Sequence, residues 1–128
     1  MSIGESDGGL PPDNLVEGEQ AILDDMIMVI DAIHDPSHGS MLRVGVAPCS
    51  PFSVSQDLMR DVAILARDKG VMMHTHLAEN DEDIAFSLVK FGTRPGQYAE
   101  ELGWTGLDVW HAHFVKLDPQ EIALFART

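Results

Sequence analysis

Two short segments of the sequence combine residue types that could do chemistry. The segment HTHLAEN places His74 and His76 two positions apart, with Glu79 three residues after the second histidine. Further along, WHAHF repeats the spacing with His111 and His113. Neutral imidazole is a common metal ligand, and a carboxylate can carry protons. Any one of these histidines could equally be a side chain that hydrogen-bonds a neighbouring loop, but two matching pairs favour a catalytic or metal-binding site.

The histidine segments are expected to lie on two of three predicted β-strands. Strands are predicted within 41–48, 71–77 and 107–115, which are short, rich in β-branched or apolar residues and bounded by turn residues. Helices are predicted where apolar residues keep helical spacing or capping residues appear: between Leu15 and Pro36, from an N-cap at Ser53 to Gly70, from Glu79 to Gly92, over 95–103 as a short turn, and after an N-cap at Asp118.

This alternation of helices and strands predicts an α/β fold with a parallel sheet and right-handed crossovers. Two architectures fit the pattern: an open doubly wound sheet, or a segment of a (β/α)₈ barrel. Both bind ligands at the carboxyl ends of their strands, where the histidines lie.

Strand alternation predicts how the four imidazole rings are directed. Side chains at i and i+2 point to the same face, so His74 and His76 should share one face and His111 and His113 another. If the two strands are neighbours, the rings can converge, and a catalytic zinc site needs about three protein ligands.

The composition excludes several partners. The formal net charge of −13 disfavours nucleic acid and anionic membranes. The single cysteine, Cys49, excludes an internal disulfide, and no signal peptide or membrane-spanning run is recognisable. A cytoplasmic protein is therefore expected. Cys49 itself is interpreted as a packing or loop-lining thiol, because no base is predicted beside it.

The strand-end motifs resemble those of a known family. HTHLAE and HAHFVKLD, preceded by APCSPFSVS and GESDGGLPPD, are similar to the middle of the amidohydrolase superfamily, in its aminohydrolase branch that acts on purines and s-triazines. The resemblance implies a (β/α)₈ TIM-type barrel and one divalent metal, zinc or in some members iron. It also implies a small heterocyclic substrate, such as a purine like 8-oxoguanine, deaminated by hydrolysis.

The resemblance also implies roles for three residues. His76 is similar to the metal-binding histidine at the end of strand five, and Glu79 resembles the glutamate that shuttles protons. His113 resembles the strand-six histidine that contacts the attacking hydroxide or the substrate. His74 and His111 are interpreted as packing residues. Strand four has no lysine that could bridge two metals, which favours a mononuclear site.

The chain is expected to be only part of such an enzyme. The histidine pair of strand one and the aspartate of strand eight have no counterpart, and a full barrel needs about 250 residues. Residues 1–128 are therefore interpreted as a partial metal-dependent hydrolase barrel domain, covering about strands four to six, and inactive in isolation. A guanine or s-triazine hydrolase, a non-catalytic half-barrel and an assembly of identical chains stay open as alternatives.

Overall fold

The computed structural model describes residues 1–128, with five α-helices and a three-stranded sheet. The helices are α1 (Glu19–Ile33), α2 (Gln56–Lys69), α3 (Asp81–Phe91), α4 (Pro95–Glu101) and α5 (Pro119–Phe125), and the strands are β1 (Gly45–Val46), β2 (Met72–Leu77) and β3 (Val109–His113). Two short 3₁₀ turns, Glu5–Asp7 and Asp13–Leu15, precede α1. None of the helices is long and apolar enough to cross a membrane.

The sheet is parallel and its strands follow the order of the sequence, as predicted. β2 lies between β1 and β3, and His76 is opposite Ala112 in the register of β2 with β3. β1 is shorter than the predicted strand. Only Gly45 and Val46 pair with β2, and Met41 lies outside the strand with its side chain fully exposed.

The predicted helix ends are confirmed, but three helices begin later than predicted. α1 begins at Glu19 rather than near Leu15, and α3 begins at Asp81 rather than at Glu79. Gly70 and Gly92 end α2 and α3 in the left-handed conformation, and Asp118 caps α5 with a complete capping box. Ser53, however, is not the N-cap of α2. Ser55 accepts the hydrogen bond from Leu58, and the Ser53 hydroxyl instead bonds Ser50 in a buried turn.

The core lies between the helices and one face of the sheet. The buried face of α2 contributes Leu58, Met59 and Val62, and β2 contributes Met73 and Leu77. The opposite face of β2 remains partly exposed. This arrangement leaves His74 and His76 of β2 on the face that the helices do not cover.

Candidate active site

Three polar side chains meet at the carboxyl ends of β2 and β3. The rings of His76 and His113 lie with their centroids 5.3 Å apart, and Nε2 of His113 is 3.5 Å from a carboxylate oxygen of Glu79. The parallel register causes this proximity, since it sets Leu77 opposite His113. The structure therefore brings together all three residues that the sequence motifs singled out.

The imidazole of His76 has a fixed orientation. Its Nδ1 lies 2.7 Å from the carbonyl oxygen of Cys49, and its backbone N–H donates to the same oxygen at 3.1 Å. A carbonyl can only accept, so Nδ1 carries the proton and Nε2 keeps its lone pair. That is the tautomer needed to ligate a metal through Nε2.

His113 reaches the site through an unusual backbone conformation. His113 and Phe114 have positive φ values of 67° and 59°, which are uncommon for residues other than glycine. Simple strand alternation fails here, and the prediction that His111 and His113 point the same way is wrong. His111 packs against Phe114 and Phe125, whereas His113 lies beside the ring of His76.

His111 is held as a neutral packing residue. Burial lowers the pKa of His111 to about 4, despite a hydrogen bond from the ring to the carbonyl of Trp104. The Nε2–H group makes that bond at 3.1 Å, and Nδ1 is buried without a hydrogen-bond partner. The ring stacks on Phe114, with 4.8 Å between the two centroids.

His74 belongs to the floor beneath the candidate site. Its ring stacks on the indole of Trp110 with centroids 4.9 Å apart, and its Nδ1 is 3.1 Å from the Trp110 carbonyl. The indole also crosses the sheet towards β1, where a Cβ on Gly45 would lie 3.2 Å from its edge. A side chain at position 45 would therefore be tightly packed against the indole, and glycine avoids this crowding.

Two residues that contact the site or its loop, Cys49 and Arg94, could not be recognised from the sequence pattern. The Cys49 contribution comes from its backbone carbonyl, which any residue would supply. Arg94, at the start of α4, donates to the carbonyl of Lys116 at 2.8 Å in the loop that follows β3. Its role depends on contacts that only the folded chain creates.

The residues present could supply one ligand of a metal site but not a complete set of ligands. His76 offers one directed imidazole nitrogen, yet no group of three or more His, Cys, Asp or Glu side chains is arranged to hold a metal ion. A catalytic zinc site needs about three protein ligands. Further ligands would have to come from outside these residues.

The family model described as the amidohydrolase family matches residues 9–128. The chain is 41% identical over 122 residues to 8-oxoguanine deaminase from Pseudomonas aeruginosa, covering 95% of this chain and 27% of that protein. It is 35% identical to hydroxydechloroatrazine ethylaminohydrolase from a Pseudomonas species, covering 100% of this chain and 26% of the relative. The chain therefore belongs to the amidohydrolase family, and it spans about a quarter of the length of these curated relatives.

Solved structures agree with this assignment. The structure superimposes with a TM-score of 0.94 on atrazine chlorohydrolase from Arthrobacter aurescens complexed with zinc. The two are 32% identical, and the match covers 99% of this chain and 28% of that one. The relatives are hydrolytic enzymes, and zinc is present in this structural neighbour.

Proposed function

We propose that this chain supplies the central part of a metal-dependent aminohydrolase that deaminates a planar nitrogen heterocycle, an aminopurine resembling 8-oxoguanine. The observation that carries the proposal is the convergence of His76, Glu79 and His113 at one end of the parallel sheet. The similarity to 8-oxoguanine deaminase over nearly the whole chain supports the choice of substrate.

The three side chains divide the chemistry among them. His76 would hold the metal through Nε2, since Nδ1 is committed to the Cys49 carbonyl. When bound, a divalent metal lowers the pKa of water so that hydroxide is available near neutral pH. Glu79 would then carry a proton to the ring nitrogen of the substrate, and Nε2 of His113 would hydrogen-bond the tetrahedral intermediate.

Zinc is the proposed metal, with iron as the alternative. The zinc-bound structural neighbour supports zinc. His76 would supply one ligand to the metal, and the remaining ligands would come from other strands of the full barrel. Residues 1–128 would then form a partial barrel domain, about strands four to six, and we expect this part alone to bind zinc weakly and to be inactive.

An s-triazine hydrolase is the second candidate. The similarity to hydroxydechloroatrazine ethylaminohydrolase extends over the entire chain, and atrazine chlorohydrolase has the same local fold. Such an enzyme would displace an amine or chloride from a triazine ring with the same three side chains. The two candidates differ in the leaving group and the ring, not in the arrangement of the catalytic residues.

The proposal is tested by measuring ammonia release from the intact protein. The substrates would be 8-oxoguanine, guanine and an ethylamino-hydroxy-s-triazine, for which ethylamine release is measured instead, with zinc-loaded and chelator-treated enzyme compared for each. We expect the zinc-loaded enzyme to deaminate the purine fastest. Release of ethylamine from the triazine without purine turnover would select the second candidate, and activity unaffected by chelation would reject a metal-dependent reaction.

A further inference from the structure

We infer that Arg94 is a positioning residue that holds His113 in its catalytic orientation by fixing the loop after β3. The inference rests on the proposed function, because it concerns how one of the three proposed catalytic side chains is aimed. Arg94 forms no hydrogen bond or ion pair with Glu79 or His113, so its effect would pass through the backbone. The first supporting feature is the strained backbone turn formed by His113 and Phe114.

The turn that carries His113 is conformationally costly. His113 and Phe114 adopt the left-handed conformation, and so does Ala78, which lies opposite them at the end of β2. A left-handed residue other than glycine costs roughly 1–2 kcal/mol and persists only where surrounding contacts enforce it. Contacts with surrounding residues must therefore hold His113 and Phe114 in this conformation.

Backbone hydrogen bonds provide the first restraint. The N–H of Phe114 donates to the carbonyl of Leu77 at 3.0 Å. The N–H groups of Val115 and Lys116 both donate to the carbonyl of Ala78, at 3.0 and 2.9 Å. These bonds join the two left-handed segments to each other, but they do not attach the pair to the rest of the fold.

The ring of Phe114 packs against Phe125 of α5, and Lys116 pairs with Asp81 at 2.9 Å. Arg94 adds the attachment that acts directly on the loop backbone. Nη2 donates to the carbonyl of Lys116 at 2.8 Å, and Nε lies 2.9 Å from a carboxylate oxygen of Glu121 and 3.0 Å from one of Asp118. The planar guanidinium holds the loop carbonyl and two carboxylates at once, which a lysine ammonium cannot reproduce in the same geometry. The loop is thereby fixed to the starts of α4 and α5.

The carboxylate that anchors Arg94 is itself built into the fold. The Glu121 side chain is only 4% exposed, and it accepts the backbone N–H groups of Gly96 at 2.7 Å and Asp118 at 2.9 Å. A Cβ at position 96 would lie 2.8 Å from the Glu121 side chain, so only glycine leaves room for this contact. A buried carboxylate with this many donors is a rigid support for the guanidinium.

Arg67 offers a matched control at the other end of β3. Its Nε donates to Asp108 at 2.9 Å and its Nη2 to the carbonyl of Thr105 at 3.2 Å, in the loop that precedes the strand. Both arginines therefore hold a carboxylate and a loop carbonyl next to β3. Only Arg94 acts on the end that carries His113.

The test compares Arg94→Lys with Arg67→Lys in the intact zinc-loaded protein. We expect Arg94→Lys to lower kcat roughly 10- to 100-fold with KM and zinc content little changed, since His113 would be misaligned rather than lost. Arg67→Lys should keep the native kcat. Equal kcat values for the two variants would overturn the inference.

A second readout does not depend on activity. In protein labelled with ¹³C and ¹⁵N at histidine, a positive φ gives His113 a strong intraresidue amide-to-Hα NOE. This NOE should weaken in Arg94→Lys and persist in Arg67→Lys, and its persistence in both would overturn the inference. If the native protein deaminates nothing, the proposed function fails, while the NOE comparison still decides the role of Arg94.

A further variant covers the case in which Arg94→Lys does not fold. Glu121→Gln keeps the size of the side chain and an acceptor for Gly96, but it replaces the oxygen that accepts from Arg94 and from the Asp118 N–H with an amide donor. We expect a loss of kcat in the same direction and a weakened His113 NOE. Native values for both would overturn the inference.

Discussion

The two faces of β2 differ in burial and in chemistry. On the face covered by helices, Met73, Thr75 and Leu77 are 0%, 0% and 2% exposed. On the opposite face, His74 and His76 are only partly buried and contact other aromatic rings rather than aliphatic core residues. Alternate residues of β2 therefore have different roles. Those on the covered face stabilise the core, and those on the open face lie at the candidate site.

Because the two faces of β2 are separate, substitutions can be chosen that change function with little effect on folding, or folding with little effect on function. A change on the covered face removes apolar contacts and should act on the free energy of unfolding. A change on the open face removes a ligand or a proton carrier and should act on metal content or rate. The left-handed turn after β3 takes part in both, because His113 lies in the candidate site and the ring of Phe114 stacks on the packing residue His111.

The largest effect is expected from His76→Ala in the intact protein. The variant should lose bound zinc and activity together, because Nε2 of His76 is the proposed ligand atom and the Nδ1 contact with the Cys49 carbonyl leaves it free to bind. Metal analysis and ammonia release measure the two losses. His74→Ala, which removes the neighbouring ring on the same face, should keep its zinc. Full zinc occupancy without His76 would remove that residue from the metal site.

Glu79→Gln should lower kcat about 10²- to 10⁴-fold while zinc content stays native. Glutamine keeps the size of the side chain but cannot carry a proton. Glu101→Gln, at the exposed end of α4, is the control and should leave kcat unchanged. Ammonia release at saturating substrate measures the effect. Near-native turnover in the Glu79 variant would exclude a proton-carrying role.

Met73→Ala should destabilise the covered face by about 2–5 kcal/mol, because the side chain is fully buried in the core. Ile64→Ala, on the outer side of α2 and 64% exposed, should cost much less. Denaturant unfolding of the intact protein would measure both. Similar losses for Met73→Ala and Ile64→Ala would show that Met73 does not belong to the covered core.

The smallest expected effect is the pH dependence of the free energy of unfolding that arises from His111, on the covered side of β3. Burial lowers the pKa of His111 from 6.5 to about 4, so the unfolded chain binds a proton there before the folded chain does. Stability should therefore fall as the pH drops from about 6.5 towards 4, by up to about 3 kcal/mol from this group. Above pH 6.5 the group contributes no pH dependence.

His111→Gln provides the comparison for that prediction. Glutamine can still donate to the Trp104 carbonyl but does not titrate. Unfolding measured at several pH values should show a shallower slope between pH 4 and 6.5 in the variant than in the native protein. Parallel slopes would mean that His111 is not held neutral by burial.

Local sequence signals predicted the secondary structure well where the determining contacts are local. The caps at Gly70, Gly92 and Asp118 act within one helical turn, and each was predicted at its observed position. The serine-rich loop before α2 shows the limit of this reasoning. Ser53 and Ser55 both fit an N-cap, and the buried turn with Ser50 decides between them.

The candidate site was predicted from motifs, but its geometry was not. The strand register and the shared sheet edge followed from the βαβ pattern, which brings His76 and His113 together. The direction of His113 did not follow, because strand alternation assumes extended backbone and His113 has a positive φ. The tautomer of His76 also depends on a carbonyl that is distant in sequence.

By itself, the sequence determined the order of the elements, their caps and the residue types at the strand ends, because these depend on neighbours within a few residues. Tertiary structure decided which histidine turns towards the site and what holds it there. Glu121 illustrates the difference, since its capping box was predicted locally, whereas its contact with Arg94 required α4 and α5 to pack together. Contacts between segments distant in sequence fix side-chain direction, and no local pattern encodes them.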